Sequence, residues 1–401
     1  MRVSLNHGRI SQPASTGLPG EVAAQPLLDP AGARVILGER DSVMGQAKPI
    51  VPASDTLFGP RGACLAEPQG PLFVCDTGHH RLLIWTQIPG SDHAPADFLI
   101  GQPRFDAEGR NAKGSVTAAT LNVPTGVAVS NGVLAVADAW NHRVLIWHGL
   151  PTRSNQPADV VLGQADFSGG LANRGTDSAK ADTLNWCYGV TIADGRLLVA
   201  DTGNRRVLLW DAIPTRSSAA ADLVLGQADF TTRDENSGDA PGPMSMRWPH
   251  GMVIAGGRVM IADAGNNRIM VWDRVPTRNG APCDFVLGQR DTAHVDHNMA
   301  AYYPTASALN MPYGLAAFGK TLAVADTANS RLIGFDARTL AMGGRAKRLA
   351  GQSAFANKGD NRWGCAKRDS VSWPYSVAAS GTTLVIADSG NNRVLLWEAA
   401  L

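Results

Sequence analysis

Chemistry in this chain gathers around one short stretch, NWCYG, from Asn185 to Gly189. Nearly the same five residues recur as FGPRG from Phe58, NVPTG from Asn122, RWPHG from Arg247, NMPYG from Asn310 and SWPYS from Ser372. Every sibling has proline where this copy has Cys187. Just before the closing Gly or Ser stand Arg61, Thr125, Tyr188, His250, Tyr313 and Tyr375, and two positions earlier stand Val123, Trp186, Trp248, Met311 and Trp373. Rings with hydrogen-bonding tips, concentrated in a chain with only 6% aromatics, describe a small-ligand site. The ligand-binding candidates are therefore Arg61, Trp186, Cys187, Tyr188, Trp248, His250, Tyr313, Trp373 and Tyr375. The competing reading is architectural: the tryptophans plug a channel as core, and the tyrosine hydroxyls bond to backbone.

Replacing proline by Cys187 restores an N–H donor and introduces a soft thiol. With His250 and Cys365 it could supply a thiolate or metal-ligand set, and HVDHN adds His294 and His297 as zinc-type ligands. Against this, cysteine is also a small buried hydrophobe, and surface histidines are common. No Ser-His-Asp or Cys-His grouping can be assembled from spacing, so no catalytic residue and no cofactor is assigned.

The elements that must position these residues come from a longer repeat. VCDTGHHRLLIW, VADAWNHRVLIW, VADTGNRRVLLW, IADAGNNRIMVW, VADTANSRLIGF and IADSGNNRVLLW place Asp76, Asp138, Asp201, Asp263, Asp326 and Asp388 at steps of 62 or 63 residues. Each unit holds four short Val/Ile/Leu-rich runs separated by Gly, Asn, Asp or Pro, which predicts four strands. Six such units arranged radially make an all-β, six-bladed propeller with four-stranded blades. The sixth unit ends at Leu401 without its outer VLGQ run, and ARVILGERD, from Ala33 to Asp41, supplies a matching strand. Closure by this N-terminal strand is expected, with residues 1–32 an extension and 33–401 one propeller. The repeated Asp and the Arg five positions later (Arg81, Arg143, Arg206, Arg268, Arg331, Arg393), like the third-strand aromatics Trp85, Trp147, Trp210, Trp272, Phe335 and Trp397, read as architecture.

These repeats resemble the NHL family of six-bladed propellers, whose pattern is P-x-G followed by V-A-D-x-x-N-x-R and an apolar strand. The period excludes the WD40 alternative suggested by VWD at Val271 to Asp273, because WD40 units span roughly 40 to 45 residues. Among six-bladed relatives, amidating lyases hold zinc through histidines and paraoxonase-like hydrolases hold calcium through carboxylates. This chain has only His250 at the ring, and inner runs such as GVAVS, GVTIA and GMVIA lack a carboxylate set.

The connections between blades, about fifteen to twenty residues each, are the least repetitive segments, and topology puts them on the same face as the Asp-to-Arg turns. Their charge is mixed: residues 228–246 carry one positive and four negative groups, and residues 353–370 carry four and two. Some NHL propellers bind single-stranded RNA on a positive face, and the mixed charge here argues against nucleic acid. The expected partner is a protein or a small molecule at the loop face. The alternative is a metal- or cofactor-carrying protein, or an enzyme of lyase or hydrolase type, with its site at the channel mouth. A net charge of +1, five scattered cysteines and no apolar run of membrane-spanning length lead to the expectation of a cytoplasmic protein with no membrane partner.

Overall fold

The computed structural model describes residues 23–38 and 50–400. Six antiparallel sheets surround a central channel. Blade 2 is typical, with strands Pro124–Ser130, Val133–Asp138, Arg143–Trp147 and Val160–Leu162 paired in sequence from the channel outward. Apolar side chains alternate to both faces of each sheet, and the core is a set of clusters between neighbouring blades. One joins Val144 and Ile146 of blade 2 to Val199 and Leu208 of blade 3, and the others repeat this around the ring. No helix among the described residues is long and apolar enough to cross a membrane.

The ring closes as the sequence implies. Blade 6 consists of Pro374–Ser380, Thr383–Asp388, Arg393–Glu398 and the N-terminal strand Val35–Gly38, which pairs antiparallel with the third strand through Val35↔Leu396 and Leu37↔Val394. Val35 and Leu37 are fully buried. Asp41, the expected end of this segment, lies outside the described residues. Upstream, Gln25–Pro26 runs parallel to the outer strand of blade 5, and Leu27 and Leu28 are buried beside it.

Each blade is tied at its loop end by a buried ion pair. In blade 2, Asp138 Oδ2 accepts from Arg143 Nε at 2.8 Å, and Asp138 Oδ1 accepts from the Asn122 N–H. The guanidinium then donates to Thr117 and Thr120 carbonyls in the entering loop and to Phe167 O in the leaving loop. A guanidinium with several fixed donors suits this, because one side chain secures three backbone segments. The Asp-to-Arg pair recurs in all six blades. In five blades the third strand carries a tryptophan at its fifth position whose indole N–H donates to a carbonyl, as Trp147 does to Gln156 O.

The P-x-G glycine is required by close approach. A Cβ at Gly189 would lie 2.0 Å from His250 O, since the inner strands of adjacent blades converge there.

Candidate functional site

The loops between blades are longer than expected and far more regular. The connection in blade 2, residues 163–186, folds back on a glutamine and an asparagine. Gln164 Nε2 donates to His142 O in the Asp-to-Arg turn and to Leu171 O in the loop. Asn173, in the left-handed region at φ 47°, pairs amide-to-amide with Asn204 of the next turn. The same arrangement holds for Asn111 with Asn141, Asn298 with Asn329 and Asn361 with Asn391. These loops form a built surface on one face.

At the inner edge of that surface the ring motif separates into two layers. The outer layer holds Trp186, Trp248 and Trp373, which are 48%, 42% and 41% exposed, with Phe58 similarly open in blade 1. The tryptophans therefore do not plug the channel, and the architectural reading fails for them. In two of them backbone geometry is the reason: Trp186 has φ 46° and Trp373 φ 50°, left-handed values that turn the side chain outward and are uncommon for a bulky residue. The preceding blade holds each in place. The Trp186 N–H donates to His142 Nδ1 at 3.0 Å, Met311 N–H to Asn267 Oδ1 and Trp373 N–H to Ser330 Oγ. In blade 3 this turn position is Arg205, which offers no acceptor. The Trp248 N–H instead reaches Asp263 Oδ1 within its own blade, without a positive φ. Burial pushes the His142 imidazole down to about 4, so at neutral pH it has a free lone pair to accept with.

The inner layer is a stack across the channel mouth. His250 lies parallel to Tyr188 at 5.3 Å between ring centres, packs on Tyr313 at 4.4 Å, and meets Tyr375 edge-on at 5.9 Å. The Arg61 guanidinium sits 5.0 Å from the Tyr375 ring centre and 6.0 Å from that of Tyr188. His250 Nδ1 donates to Trp248 O at 3.0 Å, and burial pushes the ring's pKa down to about 4, so it is a neutral imidazole. Burial also raises Tyr313, to about 12, and Tyr375. Beneath this stack the inner strands enclose a cavity of about 260 Å³.

The remaining candidates are not brought to the mouth. Cys187 is fully buried between blades 2 and 3, where its Sγ donates to Arg143 O at 3.1 Å, and burial raises its thiol pKa well above the ordinary value. The proline position points between blades, so a residue replacing proline inherits that direction. His294 pairs with Asp291 on a loop, His297 opens a separate turn and Cys365 is exposed in the loop entering blade 6. Among the described residues, no three His, Cys, Asp or Glu side chains converge as a metal site. Sequence reasoning missed the exposed loop aromatics Trp140, Tyr302 and Trp363, and the cations beside them: Arg110 lies 5.0 Å from the Trp140 ring centre and Lys358 Nζ 3.6 Å from that of Tyr302.

A sequence model of the NHL repeat matches residues 121–147. NHL repeat-containing protein 2 of Bos taurus is 24% identical over 385 residues, covering 88% of this chain and 48% of the relative. The Homo sapiens protein of the same name is 25% identical over 255 residues, covering 61% of this chain and 33% of the relative. The chain thus spans half or less of the length of these relatives. Among solved structures, Kuenenia stuttgartiensis hydrazine synthase aligns at TM-score 0.48 with 13% identity, covering 90% of this chain and 99% of that one. The WD40 β-propeller domain of Doa1 aligns at 0.43 with 9% identity, covering 92% and 96%.

Proposed function

Because the chain is a six-bladed propeller built of NHL-type repeats, we propose that it is a non-catalytic binding or scaffolding protein that docks a protein partner on its loop face. The observation that carries this is the outward ring of Trp186, Trp248 and Trp373, the first and last held by left-handed backbone and interblade hydrogen bonds and Trp248 by a bond within its own blade. A structural tryptophan would gain more by turning inward, since exposing about half of an indole forfeits apolar burial. Interface hot spots are enriched in tryptophan, tyrosine and arginine, the residue types this face displays. Tyr302, Trp363 and the cations Arg110 and Lys358 extend the same surface outward with a polar rim. The mixed loop charge favours a protein over a polyanion.

The test is chemical footprinting of the native complex isolated from the source cells. Protection of Trp186, Trp248 and Trp373 from oxidation in the complex, relative to the free protein, supports loop-face docking. Protection confined to the outer strands or to the opposite face overturns it.

A further inference from the structure

The channel beneath the tyrosine and histidine stack is lined by 29 residues, among which Arg61 is the one arginine or lysine and no carboxylate occurs. Arg61 makes no ion pair among the described residues. Its guanidinium rests against the rings of Tyr375 and Tyr188. Two ring faces cannot satisfy five N–H donors, so the half-buried guanidinium at the channel mouth keeps hydrogen-bonding capacity to spare. Two further polar groups in the lining lack a partner. Ser376 Oγ is buried without a hydrogen bond, at the position where the other five motif copies have glycine. His250 commits Nδ1 to Trp248 O, which leaves Nε2 an acceptor with no partner among the described residues. Arg61 and Ser376 belong to blades 1 and 6, so both departures from the repeat fall at the seam where the ring closes.

We propose that this channel binds a small aliphatic monocarboxylate, with its carboxylate on Arg61 and its tail along the walls below. One fixed cation matches one negative charge. A dianion such as phosphate would enter with a charge uncompensated, next to a neutral imidazole lone pair. Away from Arg61 the lining carries the apolar side chains Leu65, Val129, Ile192, Val253, Ala317 and Ala379 between stretches of inner-strand backbone. The inner strand from Tyr188 to Ile192 advances about 13 Å at roughly 3.3 Å per residue, enough for a medium-length alkyl chain. A volume of about 260 Å³ lies just below the range of drug-sized pockets and suits a ligand of this size. The inference rests on the reading of the channel mouth as a binding site and is independent of docking on the outer tryptophans.

Calorimetric titration of the full chain with sodium octanoate tests it. The expected result is saturable binding of one octanoate per chain, with acetate, octanol and octylamine each at least tenfold weaker. Arg61→Met is expected to weaken octanoate at least tenfold. Should Arg61→Met fail to fold, the ligand series on the parent protein decides. Absence of saturable octanoate binding overturns the proposal, as does octanol binding as tightly as octanoate, undiminished binding by a folded Arg61→Met protein, or displacement of octanoate by inorganic phosphate. Octanoate titration of the chain alone reads this site without any protein partner, so this site and the protein-docking face can fail separately.

Discussion

Replacing Arg143 by methionine removes one end of a fully buried ion pair and shows how much the blade end depends on it. Asp138 would keep the Asn122 N–H and the Asn141 amide, at 2.6 and 2.7 Å, but lose its countercharge. Removing one partner of such a pair typically costs about 3 to 5 kcal/mol, because the remaining charge stays desolvated. For a chain of this size the loss corresponds to a drop in melting temperature on the order of 4 to 6 °C. The deficit has a predictable pH dependence. Burial already raises the Asp138 carboxyl pKa even with Arg143 in place, and without the arginine it rises further. The folded variant then binds a proton that the unfolded chain releases above about pH 4, so its stability decreases as pH rises through that window. Thermal unfolding of parent and variant at pH 5 and pH 8 measures this, with the larger deficit expected at pH 8. Adding Asp138→Asn to Arg143→Met should recover part of the loss at pH 8. A variant melting within about 1 °C of the parent, or a deficit larger at pH 5, would refute the reasoning.

Acid should weaken the parent protein through its histidines: His250 and His142 are both held near 4, so the unfolded chain takes up protons first as pH falls below about 6.5. For His250 the loss approaches about 3 kcal/mol by pH 4, and a His250→Phe protein should show a flatter stability profile between pH 6.5 and 4 in denaturant titrations. Val35→Asp places a carboxylate in the closing strand, where Val35 is fully buried, and is expected to cost several kcal/mol, on the order of 3 or more. An unchanged melting temperature there would contradict closure. Cys187→Pro restores the residue of the other five copies and should change stability by no more than about 1 kcal/mol. In the parent, alkylation should mark exposed Cys365 first and reach Cys187 only on unfolding; early labelling of Cys187 would contradict its burial.

The repeated residues were legible because each carries a fixed backbone requirement. Asp138 and Arg143 stand five residues apart in every blade because the turn between them is the same, and Val35 to Gly38 could be matched to a missing strand by its VLGQ-like sequence. The loops were misread as irregular because their repeat is sparse. A single glutamine and a single asparagine, Gln164 and Asn173 in blade 2, fix more than twenty residues through side-chain amides. The direction of the ring tryptophans could not be read, since the left-handed backbone at Trp186 depends on an acceptor from His142, 44 residues upstream. Cys187 was misplaced for a related reason. The sequence put it beside the ring residues Trp186 and Tyr188, but successive strand positions face opposite ways, and its thiol points between the blades.

The outer tryptophans carry the central claim, and the most direct measurement is the affinity of the native partner for Trp186→Ala, Trp248→Ala and Trp373→Ala proteins whose melting temperatures are verified first. If the face is a docking surface, at least one substitution should weaken binding by about 2 kcal/mol or more, roughly thirtyfold, without a matching loss of stability. Partner affinity unchanged in all three folded variants would contradict the account.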